Sequence, residues 1–236
     1  VNVGQRSADF LAEVVRVVQR ATTKPISIDT PDPAMAEAAL KAYDPARAGQ
    51  QPAILNSVSQ LRLEMLDLQR IAPVRPILLA SERCDNGKAA PNHSADEVYQ
   101  TARELVNEAG KRGLAPADCL IDPAIAPIAT DSEGHLARVI GALQLMHDDP
   151  AFVAVHRSVG LSNFSVMLPA ARKDGSPVRG PLESAFLTNA IAQWLDLYEP
   201  TPLSRDLSLG TNYFGPMEFN DGDPTKIGRA SCRERV

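Results

Sequence analysis

Little in this chain is suited to oxidative stapling, to a membrane or to nucleic acid. Its 236 residues hold three cysteines, Cys84, Cys119 and Cys232, with neither disulfide nor metal spacing. That excludes a disulfide scaffold and points to a reducing compartment, the cytoplasm. No run of roughly 18 uninterrupted apolar residues occurs, so no transmembrane helix is expected. No basic-then-apolar leader opens the sequence either. The net charge is -5 and no basic run is present, which argues against a nucleic-acid partner. Glycine-rich phosphate loops of the Walker or dinucleotide type are missing. His93, His135, His147 and His156 lack the close spacing of a zinc site, so no metal is expected. His135 and His147 read as exposed helix residues. The sequons at Asn92 and Asn163 carry no weight without a secretory leader.

What is present is an ordinary globular composition, 44% hydrophobic and 22% charged, over a length that one α/β barrel can use. Short apolar runs alternate with amphipathic stretches. Val1 to Gly4 reads as a strand. Ser7 then precedes a helix whose inward stripe is Phe10, Leu11, Val14, Val15 and Val18. The run PISID at Pro25 to Asp29 is a strand ending in a carboxylate, and Asp32-Pro33 caps and opens the next helix. Ala53 to Asn56 is a strand, Leu61 to Ile71 a helix and Val74 to Ala80 a strand. A loop with Gly87, Pro91 and Asn92 follows. Ser94 and Glu97 form a capping box for a helix that stops near Gly110 and Gly113. Cys119 to Asp122 is a further strand, Leu136 to Leu143 marks a helix, Ser158 to Asn163 closes another strand, and Leu182 to Trp194 reads as helical.

Such alternation predicts right-handed crossovers and a parallel sheet. Six strands up to Asn163, with a seventh near Leu195 to Tyr198, fall one short of a (β/α)8 barrel. The expectation is a TIM barrel over residues 1–198 whose first strand–helix unit is missing. Its open strand edges would make the isolated chain poorly soluble or dimeric. Residues 199–225 read as irregular. Residues 226–236, KIGRASCRERV, resemble a translated sequencing adapter and are set aside as non-native.

Asn2, Asp29, Asn56, Asp122 and Asn163 each fall at the C-terminal end of a different apolar run. In a barrel those ends converge on one mouth, where active sites lie. Taken singly, each has a turn-chemistry explanation. Together they describe a polar site. Carboxylates and carboxamides suit a planar heterocycle with amide and amino edges, and the lack of a cationic cluster disfavours a phosphate-rich ligand.

These residues sit in motifs. VNVG at the start, ISIDT at 26–30, ILNSVS at 54–59, IDPAIAPI at 121–128 and GLSNFS at 160–165 occur in order. Over about Val1 to Tyr198 the chain resembles the pterin-binding barrel of methyltetrahydrofolate:corrinoid methyltransferases, a family related to dihydropteroate synthase. The resemblance implies that Asp29, Asn56 and Asp122 bind the pterin edge. It implies that Asn163 lies near N5 and assists its activation, so Asn163 and Asp122 are the catalytic candidates. Asn2 matches the Asn of the family's DxNxG strand. Arg179, before Gly180-Pro181, matches the family's arginine there. The resemblance further implies methyltetrahydrofolate as substrate, a corrinoid (cobalamin) carried on a separate protein as partner, and a homodimer when full length.

Departures from the family are specific. Val166 stands where corrinoid methyltransferases often have Gln, and the stretch 169–180 is longer than in compact members. Dihydropteroate synthase is the nearest rival, but the lysine and arginine that would hold its pyrophosphate are replaced by Ala124 and the Ser162-Asn163-Phe164 run. The folate module of cobalamin-dependent methionine synthase and a non-catalytic pterin-binding protein are the other readings.

Overall fold

Capping chemistry sets the helix boundaries in the computed structural model, which describes residues 1–4, 6–183 and 185–186. The described chain divides into two compact units. One is Val1–Asn92 with Gln100–Ile121, and the other is His93–Tyr99 with the chain from Asp122 onward.

In the first unit Ser7 accepts from the Phe10 amide and opens α1 (Ala8–Ala21). The inward stripe is narrower than its sequence suggests. Leu11, Ala12, Val15 and Gln19 are buried, whereas Phe10 is 44% exposed and lies under the Arg6 guanidinium, 5.3 Å from the ring centroid. Gln19 is buried because its carboxamide is satisfied on both sides. Its Nε2 donates to the Asp44 carbonyl at 3.0 Å and its Oε1 accepts from the Asp44 amide at 2.9 Å. That double bond removes the desolvation cost of the amide.

β1 (Ser27–Asp29) follows, then α2 (Pro33–Ala42), capped as expected by Asp32, whose Oδ1 accepts from Ala34 and Met35. β2 (Ala53–Val58) pairs in parallel with β1, and β3 (Val74–Leu79) pairs in parallel with β2. Ile28, Leu55, Val58 and Leu78 are wholly inaccessible to solvent. Such near-continuous apolar strands mark a parallel sheet covered on both faces. Each such side chain contributes about 1.5–3 kcal/mol by burial.

The helix expected at Leu61–Ile71 is a 3-10 segment, Gln60–Arg70, interrupted at Arg62, where φ is -138° and ψ 40°. The loop expected around Gly87 is instead an antiparallel hairpin, β4 (Glu82–Asp85) with β5 (Lys88–Pro91). Asn86 and Gly87 both take positive φ, 50° and 78°, as a tight type I′ turn demands. Asn92, dismissed as a sequon, is buried. Its Nδ2 donates to the Ala80 carbonyl and to Thr101 Oγ1, both at 2.9 Å. α3 (Ala95–Lys111) begins with the expected capping box, Glu97 N to Ser94 Oγ and Ser94 N to Glu97 Oε2, each 3.1 Å. β6 (Leu120–Asp122) comes next, and the first unit's sheet runs β1-β2-β3-β6. Val1–Gly4 is not a strand; only Val1 aligns with β1, its carbonyl accepting from the Asp29 amide.

The second unit carries α4 (His135–Asp148), β7 (His156–Arg157) and α5 (Leu161–Ser165). Residues 179–183 and 185–186 are helical, three residues earlier than expected. Val139, Leu143, Val159, Phe164 and Phe186 share one apolar cluster. The Phe164 and Phe186 rings meet tilted at 5.3 Å, and Tyr99 meets Phe152 at 5.8 Å while its hydroxyl donates to Asp149. His135 and His147 are half-buried rather than exposed. The strand expected to close over Ser158–Asn163 is only His156–Arg157 and ends before Ser158. The chain after it turns at Gly160 into α5, so Asn163 is a helix residue. The protein is thus α/β with a parallel sheet. The expected strand at 195–198, the segment 199–225 and the tail 226–236 lie outside the described residues. Among the described residues no helix is long and apolar enough to cross a membrane.

Candidate functional site

In the first unit, Asp29 and Asn56 face each other in register across the β1–β2 ladder. The Asp29 amide donates to the Val1 carbonyl and the Thr30 amide donates to the Asn56 carbonyl, both at 2.9 Å. The backbone on either side of Asp29 is therefore fixed. Asn56 is also the last residue before the β2–β3 register shifts, and the Asn56–Ser57 peptide is cis. Asp29 and Asn56 are half-buried, and neither side chain makes a hydrogen bond among the described residues. Two hydrogen-bonding groups are thus presented side by side and left uncommitted. Thr30, which the sequence reading passed over, supports this edge. It is buried, and its Oγ1 accepts from the Asp32 amide at 3.2 Å. Asn2 differs. It is exposed, and its Oδ1 accepts from the Gly4 amide at 2.7 Å in a local turn.

In the second unit Asp122 ends β6. Its Oδ1 accepts from the Ala124 amide at 2.8 Å, and this turn places Ala124 at φ 54°. Asp122 is half-buried as a residue, but its carboxyl is packed in. Burial pushes its pKa up to about 6, against the opposing pull of the Ala124 N–H. One carboxyl oxygen has no partner among the described residues. Asn163 is exposed on α5, and its backbone amide donates to the Gly160 carbonyl at 2.8 Å. Arg179 is occupied: its Nε and Nη2 both donate to the Leu168 carbonyl, at 2.8 and 2.5 Å, closing the loop between them. A carbonyl clamped by a guanidinium fork fixes loop shape first, and only the remaining N–H groups are left for a ligand.

Of the two described cysteines, Cys119 is not suited to nucleophilic work. Cys119 is buried, and burial with the nearby Asp118 charge pushes its thiol up to about 12. A thiol so protonated is inert at neutral pH. Cys84 is exposed on the hairpin. Among the described residues, no group of three or more His, Cys, Asp or Glu is placed to hold a metal.

The pterin binding enzyme family matches residues 4–198. The chain belongs to that family. It is also similar to a protein of Eubacterium limosum, "Methylcorrinoid:tetrahydrofolate methyltransferase", with 29% identity over 205 residues, covering 84% of this chain and 67% of that relative. The chemistry of the uncommitted groups agrees with a pterin. Its fused ring offers N–H and NH2 donors along one edge, which carboxylates accept and which carboxamides can meet as acceptor or donor. Two of the residues that matter here gave no obvious signal. Ala124 and Gly160 carry no chemistry of their own, and only the turns around Asp122 and Asn163 disclose them.

Proposed function

We propose that this protein is a methyltransferase that moves a methyl group between N5 of tetrahydrofolate and the cobalt of a corrinoid held by a separate protein. The observation that carries the reading is the set of uncommitted acceptors in a pterin-binding chain: Asp29 beside Asn56 on the sheet, and the one free oxygen of buried Asp122. In this reading Asp29, Asn56 and Asp122 hold the pterin edge, Asn163 acts at N5, and Asn2 and Arg179 are ancillary. The reading goes with a barrel-type arrangement of the family-matched chain, a cytoplasmic setting and a homodimer. The relative's printed name supports the methyl chemistry and leaves its direction here to experiment.

Transfer from methyltetrahydrofolate breaks the N5–carbon bond. The methyl goes to reduced cobalt, the bonding electron pair stays on N5, and N5 ends protonated. The reverse direction runs the same atoms backwards. A tertiary amine leaves poorly unless N5 gains positive character, so a donor aimed at N5 accelerates the step. General acid assistance is typically worth ~10²–10⁴-fold. Asn163, with an exposed carboxamide, can donate through Nδ2. The hard chemistry belongs to the reactants, and the protein orients and encloses them.

The test is methyl transfer from methyltetrahydrofolate to a Co(I) corrinoid, followed by loss of the Co(I) absorbance in single turnover. Binding of methyltetrahydrofolate without transfer to any corrinoid acceptor supports a non-catalytic pterin-binding protein instead. Formation of dihydropteroate from a pterin pyrophosphate and p-aminobenzoate overturns both readings.

A further inference from the structure

We infer that Gly160 is a positioning residue for Asn163, holding open the space in which its carboxamide lies; this rests on the reading of Asn163 as the group that acts at N5. Gly160 is the centre of a tight turn, with the Leu161 amide donating to the Val159 carbonyl at 2.9 Å. Its φ of -75° and ψ of 74° match the inverse γ-turn, which L residues adopt readily. The backbone therefore gives no reason for glycine here. Nor does the framework around it: among the described residues, and apart from the two chain neighbours, no other atom lies within 4 Å of a β-carbon built at this position. The atoms such a carbon meets are Asn163 Nδ2, at 2.9 Å, and Asn163 Cγ, at 3.6 Å. Among the described residues, one side chain alone is crowded by a β-carbon at 160.

Among the described residues the Asn163 carboxamide makes no hydrogen bond. Val166, one turn along α5, is 52% exposed and offers no polar contact. Its Nδ2 faces the place that a methyl group on residue 160 would occupy. Alanine at 160 displaces the flexible end of Asn163 and leaves the fold intact. Misplacement of a reacting group by about 1 Å can cost on the order of 10²-fold in rate.

Four forms of the full chain test this: unmodified, Gly160→Ala, Asn163→Ala and the double variant, each assayed with methyltetrahydrofolate and cob(I)alamin. Gly160→Ala is expected to lower kcat by about 10–10²-fold, with the Kd for methyltetrahydrofolate and the melting temperature little changed. In the Asn163→Ala background it is expected to have no further effect, since coupled residues are non-additive. The Asn163 side-chain amide resonances should move in Gly160→Ala, and Gly160→Ser should act in the same sense. Normal turnover in Gly160→Ala, or a full additional loss in the double variant, overturns the inference. Should Asn163→Ala itself transfer methyl normally, the functional reading of Asn163 falls, and the role of Gly160 falls with it. Slow Asn163→Ala beside normal Gly160→Ala removes Gly160 alone.

Discussion

Asp29 and Asn56 are held by a ladder, whereas Asp122 and Asn163 are held by turns. On the β1–β2 pair, backbone hydrogen bonds on both sides of Asp29 fix where its side chain starts, and Asn56 is its register partner. In the second unit the Asp122 carboxyl is fixed by a bond to the Ala124 amide, and Asn163 by a γ-turn and a five-residue helix. A ladder tolerates substitution of its neighbours, because main-chain bonds carry the placement. A turn depends on particular small residues at particular φ values. Turn-held groups should therefore show the larger functional sensitivity, and ladder-held groups the larger tolerance in their surroundings.

The largest expected effect tests the turn-held Asn163. If its hydrogen bond to N5 strengthens in the transition state, it raises rate rather than affinity. Asn163→Ala should lower the single-turnover transfer rate by ~10²-fold or more, with the dissociation constant for methyltetrahydrofolate changed several-fold at most. Poor binding with near-normal transfer would make Asn163 a binding residue only.

Next in size are the two carboxylates. Asp122→Ala and Asp29→Ala should each weaken methyltetrahydrofolate by ~1.5–3 kcal/mol, the usual loss of a charge-assisted hydrogen bond, measured by calorimetry. Unchanged affinity with both replaced would sink the site. Asp122 should also make binding pH-dependent. If the pterin edge donates to the Asp122 carboxylate, whose pKa burial pushes up to about 6, protonation competes with binding. Affinity should therefore be level above that pH and fall by up to about tenfold per unit below it. Asp122→Asn should abolish this fall.

The same group carries a stability signature of smaller size. The folded pKa of Asp122 lies above its ordinary value of 3.8, so the folded state binds the proton more tightly than the unfolded one. Its favourable contribution is complete below about pH 4 and is lost as pH rises through about 6. Asp122→Asn, which needs no ionisation, should melt higher than the unmodified chain at pH 7 and lose that advantage at pH 4. Each kcal/mol corresponds to about 2–4 °C for a chain of this size. A constant difference across that window would show that the carboxyl is not buried as described.

The ladder was readable from sequence and the turns were not. ISID and AILN announce themselves because β-branched apolar runs ending in a polar residue are what a doubly covered parallel strand looks like. The Asp32 cap and the Ser94–Glu97 box follow from local donor counting. GLSN was read as a strand end because its apolar lead-in continues β7, and only Gly160 marks where the chain leaves it. Asn86-Gly87 carried the hairpin signal in plain form, but the flanking ERCD and KAAP lack apolar alternation and masked it. Phe10 shows the opposite error: an apolar residue at helical spacing was read as core, although cation–π contact with Arg6 gives it a place at the surface.

The smallest expected effect asks how much strain the Asp122 turn stores. Ala124 sits at φ 54°, where an L residue costs about 1–2 kcal/mol relative to its right-handed conformation. Glycine removes that cost, but it gives the unfolded chain more freedom, worth ~0.4–1 kcal/mol in the other direction. Ala124→Gly should thus raise stability by about 0–1.6 kcal/mol. It keeps the amide that donates to Asp122, so affinity for methyltetrahydrofolate should be unchanged. Ala124→Pro keeps neither the conformation nor the donor, since proline fixes φ near -65° and has no N–H. It should destabilise the chain, and any folded fraction should bind with the Asp122 titration shifted further upward. A glycine variant that melts lower than the unmodified chain would mean the left-handed turn is carried by contacts of the Ala124 methyl, and that the Asp122 turn is held by packing after all.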